Sequence, residues 1–461
     1  MIRALMERLR AAEHGSVHRR IVSAAAIVAV FTVAAKLAGA GKEIVVAQHF
    51  GTSRDVDAFL IAMIVPSFMI AIIGTALNFA LMPAYVAVRQ REGPGHAQQL
   101  LSTVMALSLA VLVGTVIFVA ALTPTLLPLV SERFAGSDGQ LTRELSYMLI
   151  PTIILAGTTT IWTAVLNAHG RFAGPTAAGV ALPLVTVAAL MVFGRIVGVR
   201  ALAWGTLGGY FLETALVGAA LHREGLSLRP RWGGMTAGVR QVLGELGPAA
   251  AAMLFTAANP VIDQVIAATL GPGSVASLGY GNKVVAFAAG IGSASLGSAV
   301  RPHFSRLAAA GDWLSFDKMI RSYSRIVVAL SLLVTAGIIG LSIPIVRVLF
   351  ERGAFTPQDS VEVARIQAFY AFQIPFRMMS LLFVGFMITT ARNRALMVFS
   401  LVNLFVNVVG DIVLARYLGV AGIALSTSLV CAVSCAMNVS YGTRRLRAHL
   451  RPAALERPEA A

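Results

Sequence analysis

One apolar stretch holds the residues most able to do chemistry. From Lys36 to Pro83 the chain is mostly hydrophobic, yet it carries Lys36, Lys42, Glu43 and Asp57. A charge at membrane depth is costly, so it usually faces a protein interior or a water-filled cavity. Lys36 and Lys42 are six residues apart, which places them about 240° apart around a straight helix. They share one cavity only if the helix bends or the cavity is wide. Gly39 and Gly41 lie between them, and glycine permits such a bend. In a plainer arrangement the helix ends near Gly41 and Lys42 snorkels to the headgroups. Lys36 has apolar sequence on both sides and does not fit that arrangement.

The elements that must position these residues are membrane helices. The chain has 461 residues, of which 57% are hydrophobic and 13% charged, and its mean hydropathy is +0.79. A soluble domain is nearer one quarter charged. Apolar runs of about 20 residues recur from end to end, so the expected fold is an all-α polytopic membrane protein. About twelve candidate spans are found, the first starting near Ile21 and long enough to cross; no cleavable signal peptide is expected before it. The formal charge of +16 suggests nucleic-acid binding at first sight, but its distribution argues against that. Arginine clusters recur in alternate loops, for example Arg89 and Arg91, Arg223 to Arg240, and Arg301 to Arg321. This is the positive-inside pattern, with both termini expected in the cytoplasm. Arg195 and Arg200 are the clear exception. The stretches Arg89–Leu100 and Arg301–Arg321 are polar enough to lie along the inner surface as amphipathic helices.

The chain also repeats itself. NAHGRFAGPTAAGVALPLV from Asn167 is similar to TARNRALMVFSLVNLFVNVV from Thr390, and VGVRALAWGTL from Val197 to LGVAGIALSTS from Leu418. The turn around Gly51 corresponds to the one around Gly271. The offset is about 220 residues, an even number of spans, so two six-helix lobes should form a parallel pseudo-repeat. The expected division is a basic tail at 1–20, a first lobe at 21–222, a linker at 223–241, a second lobe at 242–441 and a basic tail at 442–461. Substrate sites in such folds lie at the repeat interface near the midplane.

Four motifs then carry a resemblance. GKEIVVAQHFGTSRDVDAFLIAMIVPSF, VLFERGAFTPQDS, ELGPAAAAMLF and GSVASLGYGNKVVAF occur at positions, and in an order, that resemble the MurJ/MviN family of the multidrug/oligosaccharidyl-lipid/polysaccharide exporter superfamily. The resemblance covers about Thr32 to Leu446. It implies flipping of an undecaprenyl-diphosphate-linked sugar from the inner to the outer leaflet of a bacterial inner membrane, lipid II in the best-known members. The family's essential basic residues match Lys36, Lys42 and Lys283, with lysine in place of arginine, and its aspartate matches Asp57. Charge is kept, but bidentate phosphate geometry is not. Charged residues that the family usually keeps on the second helix correspond here to Ile70, Ala71 and Thr75, and two further C-terminal helices of many members have no counterpart. These departures lean towards a surface-polysaccharide repeat unit over lipid II.

The remaining charged residues complete the expected site. Lys283 in YGNKVVAF would bind phosphate, the alternative being a pair with Asp263 or another acid. Asp263 in NPVIDQVI, with Glu43 beside Lys42, would serve a coupling cation; Asp263 could equally pair with Lys283. Arg377 follows Pro375 and would face the cavity or a structural partner. Glu213 and Asp411 read as interhelical contacts or near-interface acids, and Asn78, Asn403 and Asn407 as helix-packing contacts. Cys431 and Cys435 share a helix face and read as small buried residues. No cluster has metal-ligand spacing and no Walker loop is present, so no cofactor, metal or enzymatic step is expected. The reading is a flippase working by alternating access, with the bilayer, the lipid-linked glycan and envelope-synthesis enzymes as partners. A cation-coupled small-molecule exporter and a transport-inactive envelope scaffold are the other two readings.

Overall fold

The computed structural model describes residues 17–130, 137–389 and 393–455, and the described residues are helical with no strand. The tail arginines Arg3, Arg8, Arg10 and Arg457, together with Arg392, lie outside them. In chain order the helices are α1 (Val17–Phe50), α2 (Arg54–Arg91), α3 (Pro94–Val130), α4 (Ser137–Leu149), α5 (Thr152–Ala168), α6 (Ala173–Ala178), α7 (Ala181–Val197), α8 (Arg200–Arg223), α9 (Ala237–Leu270), α10 (Ser274–Ala309), α11 (Trp313–Gly340), α12 (Ser342–Phe350), α13 (Pro357–Ala371), α14 (Gln373–Thr389), α15 (Asn393–Leu418) and α16 (Val420–Leu455). Nine stretches are apolar and long enough to cross a membrane among the described residues. Helices α1, α8 and α10 are also long enough, at 34, 24 and 36 residues.

The chain packs as two compact units. The first is Met1–Phe50 with Ala58–Ala257, and the second is Gly51–Asp57 with Ala258–Ala461. The division by sequence put the linker at 223–241, whereas the packing boundary falls inside α9. The reason is that Val239 and Val242 are fully buried in the first unit's core, with Leu246 packed against it. That core is built from helix-spaced apolar side chains: Leu77, Leu81, Tyr85 and Val88 on α2, Leu100, Leu101 and Val104 on α3, Ile161 and Val165 on α5, Val217 and Leu221 on α8. Their three-to-four-residue spacing gives each helix one inward stripe.

Helices α7 and α8 pack through glycine. A Cβ on Gly205 or Gly209 would come within 2.8 Å of Thr186 Cα or 2.7 Å of Leu182 Cα. Small residues at such spacing allow close backbone approach where lipid provides no hydrophobic drive. The same device recurs in the second unit, where Gly422 of α16 lies against the backbone of Leu414 on α15. Both helix pairs are joined through a glycine in left-handed conformation, Gly198 at φ 61° and Gly419 at φ 62°. These are the two segments whose sequences are similar.

Two expected surface helices do not form as separate elements. Arg89–Leu100 is the end of α2 and the start of α3, split at Gly93, whose φ is 93°. Pro94 then opens α3, where a missing N–H costs nothing. Arg301–Arg321 is likewise the end of α10 and the start of α11, divided by Gly311 at φ 69°. Asp312 caps α11 by accepting the Ser315 N–H at 3.0 Å, and the Ser315 hydroxyl together with that N–H holds its carboxyl below its ordinary range.

Candidate functional site

Helix α1 runs unbroken through Gly39 and Gly41 to Phe50, so the arrangement in which it ends near Gly41 does not occur. Unbroken apolar sequence on both sides of the two glycines outweighs their weak helix propensity. Lys36 therefore lies about 28 Å from one end of the helix and about 21 Å from the other, deep within its length. Its side chain is exposed. A Cβ on either Gly39 or Gly41 would meet nothing within 4 Å. Lys42 is drawn into an ion pair, with its Nζ 3.0 Å from Glu43 Oε1 and the side chains 21% and 19% exposed. Glu43 is thus engaged with a lysine.

In the second unit Lys283 is exposed on α10 and Arg377 on α14. Asp57 is different. Its side chain is 5% exposed, and its carboxylate accepts the Gly273 N–H at 2.6 Å and the Ala276 N–H at 2.8 Å. It caps the N-terminus of α10, where unpaired N–H groups and the helix dipole favour an anion. Around it the Gly51–Asp57 turn is held by further bonds. Tyr280 donates its hydroxyl to the Gly51 carbonyl at 3.3 Å, and Thr52 donates to Asp359 Oδ1 at 2.5 Å. Asp359 also closes the Thr356 capping box at the start of α13. The RGAFT loop packs Phe355 against the Tyr280 ring at 5.6 Å. Two of the motifs singled out from sequence, the FG turn with its following DAF and the RGAFT loop, therefore meet here and build a helix-capping node.

The second buried acid sits among other polar groups. Asp263, 8% exposed, accepts Asn407 Nδ2–H at 2.9 Å and the Thr427 hydroxyl at 3.2 Å. Asp411 is fully buried one turn beyond Asn407 on α15, and the two carboxylates are close enough to act on each other's charge. Among the described residues, neither Asp411 oxygen meets a donor at hydrogen-bonding geometry, and Asn407 Oδ1 is also unpaired. The nearby Ser426 hydroxyl is turned to the Asn407 carbonyl at 3.3 Å. Buried acceptors in excess of donors, beside two carboxylates, fit a cation or a shared proton. The sequence reading named Asp263 but left Asp411 and Asn407 as packing contacts. Their signal was the spacing Asn403, Asn407, Asp411, which places all three on one face of α15.

Residues 46–455 match the family model described as "Lipid II flippase MurJ". The chain belongs to the MurJ family. A relative from Synechocystis sp., described as "Probable lipid II flippase MurJ", is 26% identical over 94% of this chain and 83% of its own length. "Lipid II flippase MurJ" from Burkholderia cenocepacia is 26% identical over 74% of this chain and 68% of its own length. Among solved structures, "Lipid II flippase MurJ, inward closed conformation" superposes with a TM-score of 0.78 at 19% identity, covering 90% of this chain and 87% of that one. An inward-facing multidrug resistance MATE transporter gives 0.75 at 11% identity, covering 90% and 96%. These likenesses show the fold: an all-α polytopic membrane protein. This MurJ-family chain is a membrane transporter and not a catalyst.

Proposed function

We propose that this MurJ-family chain flips an undecaprenyl-diphosphate-linked saccharide across a bacterial inner membrane by alternating access. The observation that carries the reading is Lys36, a cation in the interior of an unbroken 34-residue membrane helix. A lysine there is costly unless it serves an anion. Lys42 and Lys283 add charge, and Arg377 extends the basic set. The diphosphate pairs with these cations, the sugar stays in water and the polyprenyl tail stays in lipid. Asp57 serves this site by positioning, through its hold on the helix that carries Lys283. Asp263, with Asn407, Asp411 and Thr427, takes the coupling cation; Glu43 serves Lys42 instead.

Neutralising Lys36 or Lys283 to alanine is expected to abolish export while protein level stays near wild type, and lysine-to-arginine is tolerated better because charge is retained. Full export by the double alanine variant would rule out the role proposed for these lysines. Export of small cations by that variant would favour the small-molecule exporter, for which the acid cluster is the supporting feature. The alternation of basic loops supports a cytoplasmic side for both termini. Reporter fusions at Gly93 and Gly225 should report inside, and those at Gly273 and Gly353 outside.

The glycan is read from Ile70, Ala71 and Thr75, which replace charged residues. Losing polar partners changes ligand preference, because polar groups on the ligand are then desolvated without compensation. A surface-polysaccharide repeat unit shares the diphosphate with lipid II but lacks its peptide. The names of the relatives favour lipid II. Expression in cells depleted of their lipid II flippase decides between them. Failure to restore growth, with loss of surface polysaccharide on deleting the native gene, supports the repeat unit; robust rescue overturns it.

A further inference from the structure

We propose that the arginine-bearing end of the first unit is a binding site for the phosphate headgroup of an acidic membrane lipid. A cavity of ≈ 380 Å³ opens there, between α1, the turn that joins α5 to α6, and the end of α8. Its apolar wall includes Val28, Leu166 and Phe172, and its polar wall is Arg171, Arg223 and Glu224. Helix α5 ends a stretch long and apolar enough to cross a membrane at Ala168 and α6 begins the next at Ala173, and a turn between two such stretches belongs at the headgroup level. Arg171 pairs with Glu224 at 2.9 Å. Arg223 has no such partner among the described residues and is exposed. An entering phosphate meets Arg223 first and then competes with Glu224 for Arg171.

A second observation adjoins the first. Beyond Glu224 the chain forms an extended strap, 226–236, pinned to the start of α3. Gln98 exchanges hydrogen bonds with Ser227 at 3.2 and 3.1 Å, Gln99 donates to the Gly233 carbonyl at 2.7 Å, Gly233 N–H donates to Thr103 at 3.1 Å, and Arg231 N–H donates to Ser102 O at 3.2 Å. Leu226 and Leu228 pack inward on the core. Arg229, Arg231 and Trp232 point outward, the last 58% exposed. Tryptophan beside arginine suits the membrane–water interface, and basic pockets between membrane helices suit acidic headgroups. An acidic protein partner would have no use for the apolar wall or for an outward indole.

The test is native mass spectrometry of the purified full chain with phosphatidylglycerol or phosphatidylcholine added at equal mole fraction. Phosphatidylglycerol should be retained about tenfold better. Each arginine near the surface is worth about fivefold, so R171Q/R223Q should weaken retention about thirtyfold. R223Q alone keeps the Arg171–Glu224 pair and should weaken it about fivefold, which guards against a folding artefact. R229Q/R231Q should also reduce it. Equal retention of the two lipids, or unchanged retention in R223Q and in R171Q/R223Q, would overturn the proposal. So would displacement by millimolar inorganic phosphate as complete as that by phosphatidylglycerol, which would mark a site for a free anion.

Discussion

At Asp57 a buried carboxylate meets backbone N–H donors at 2.6 and 2.8 Å. At Asp411 a carboxylate also removed from solvent meets none among the described residues. Both belong to the second unit, and the contrast separates two uses of buried charge. The first is finished by the fold: helix-terminus donors compensate its desolvation, and nothing further is needed. The second is left unfinished, with another carboxylate beside it and an unpaired amide oxygen one turn away. A polar group that the fold leaves unsatisfied at such cost is the better candidate for a ligand site. This shifts weight from Asp57 towards Asp263 and towards Asp411, which the sequence reading left as an interhelical contact or near-interface acid.

The largest expected effect is on transport at the unfinished site. Asp263→Asn or Asp411→Asn removes one of the two carboxylates that would hold the cation and should lower export about 100-fold, roughly the 2.7 kcal/mol of a lost charged partner to a bound ligand. Melting temperature without added cation should stay level or rise, because mutual repulsion is relieved. Wild type should be stabilised by the coupling cation, by about 2.7 kcal/mol at a hundred times its Kd, and the variants should not. Loss of stability with cation response intact would reverse the contrast.

Asp57 should show the opposite pattern. Asp57→Ala strands the N–H groups of Gly273 and Ala276 and should cost about 3 kcal/mol, read as a melting temperature several degrees lower. Asp57→Asn keeps one acceptor oxygen and should cost about half as much. If Asp57→Ala melts like wild type yet fails to transport, its carboxylate contacts substrate and the capping role is secondary. A smaller stability effect is expected at Gly273, whose φ of 81° favours glycine and where a Cβ would collide with the Thr52 carbonyl. Gly273→Ala should cost about 1–3 kcal/mol in the same assay.

Much of this was legible in the sequence. Apolar run length gave the helices, because a spanning segment must satisfy its own backbone. The repeated VGVRALAWG and LGVAGIALS segments marked the two close-packed hairpins with their left-handed glycines. The capping node was visible only as motifs, since nothing local indicates that a carboxylate at position 57 will meet N–H groups some 216 residues away. The place of Asp411 beside Asp263 was hidden for a related reason. Its charge was visible, but whether a buried carboxylate is satisfied depends on the donors that neighbouring helices bring. Lys42 shows the reverse case, where an adjacent acid in sequence is also the partner in space.

The smallest effect tests the unfinished site most finely. Thr427 Oγ1 lies 3.2 Å from Asp263 Oδ2 and 3.1 Å from the Ile423 carbonyl. A hydroxyl has one proton and can donate to only one of them at a time. When Asp263 is bare, donation to the carboxylate is favoured, since hydrogen bonds to charged acceptors are the stronger ones. A cation held by Asp263 would repel that proton and turn it to Ile423, leaving an oxygen lone pair towards the cation. Thr427→Ser keeps the hydroxyl and should change cation affinity less than about twofold. Thr427→Val keeps the shape and removes the switch, and should weaken affinity by about 1 kcal/mol, roughly fivefold. Cation-dependent melting of the two variants reads both values. Equal affinities for Ser and Val would mean that the hydroxyl only ties α16 to α9 and takes no part in binding.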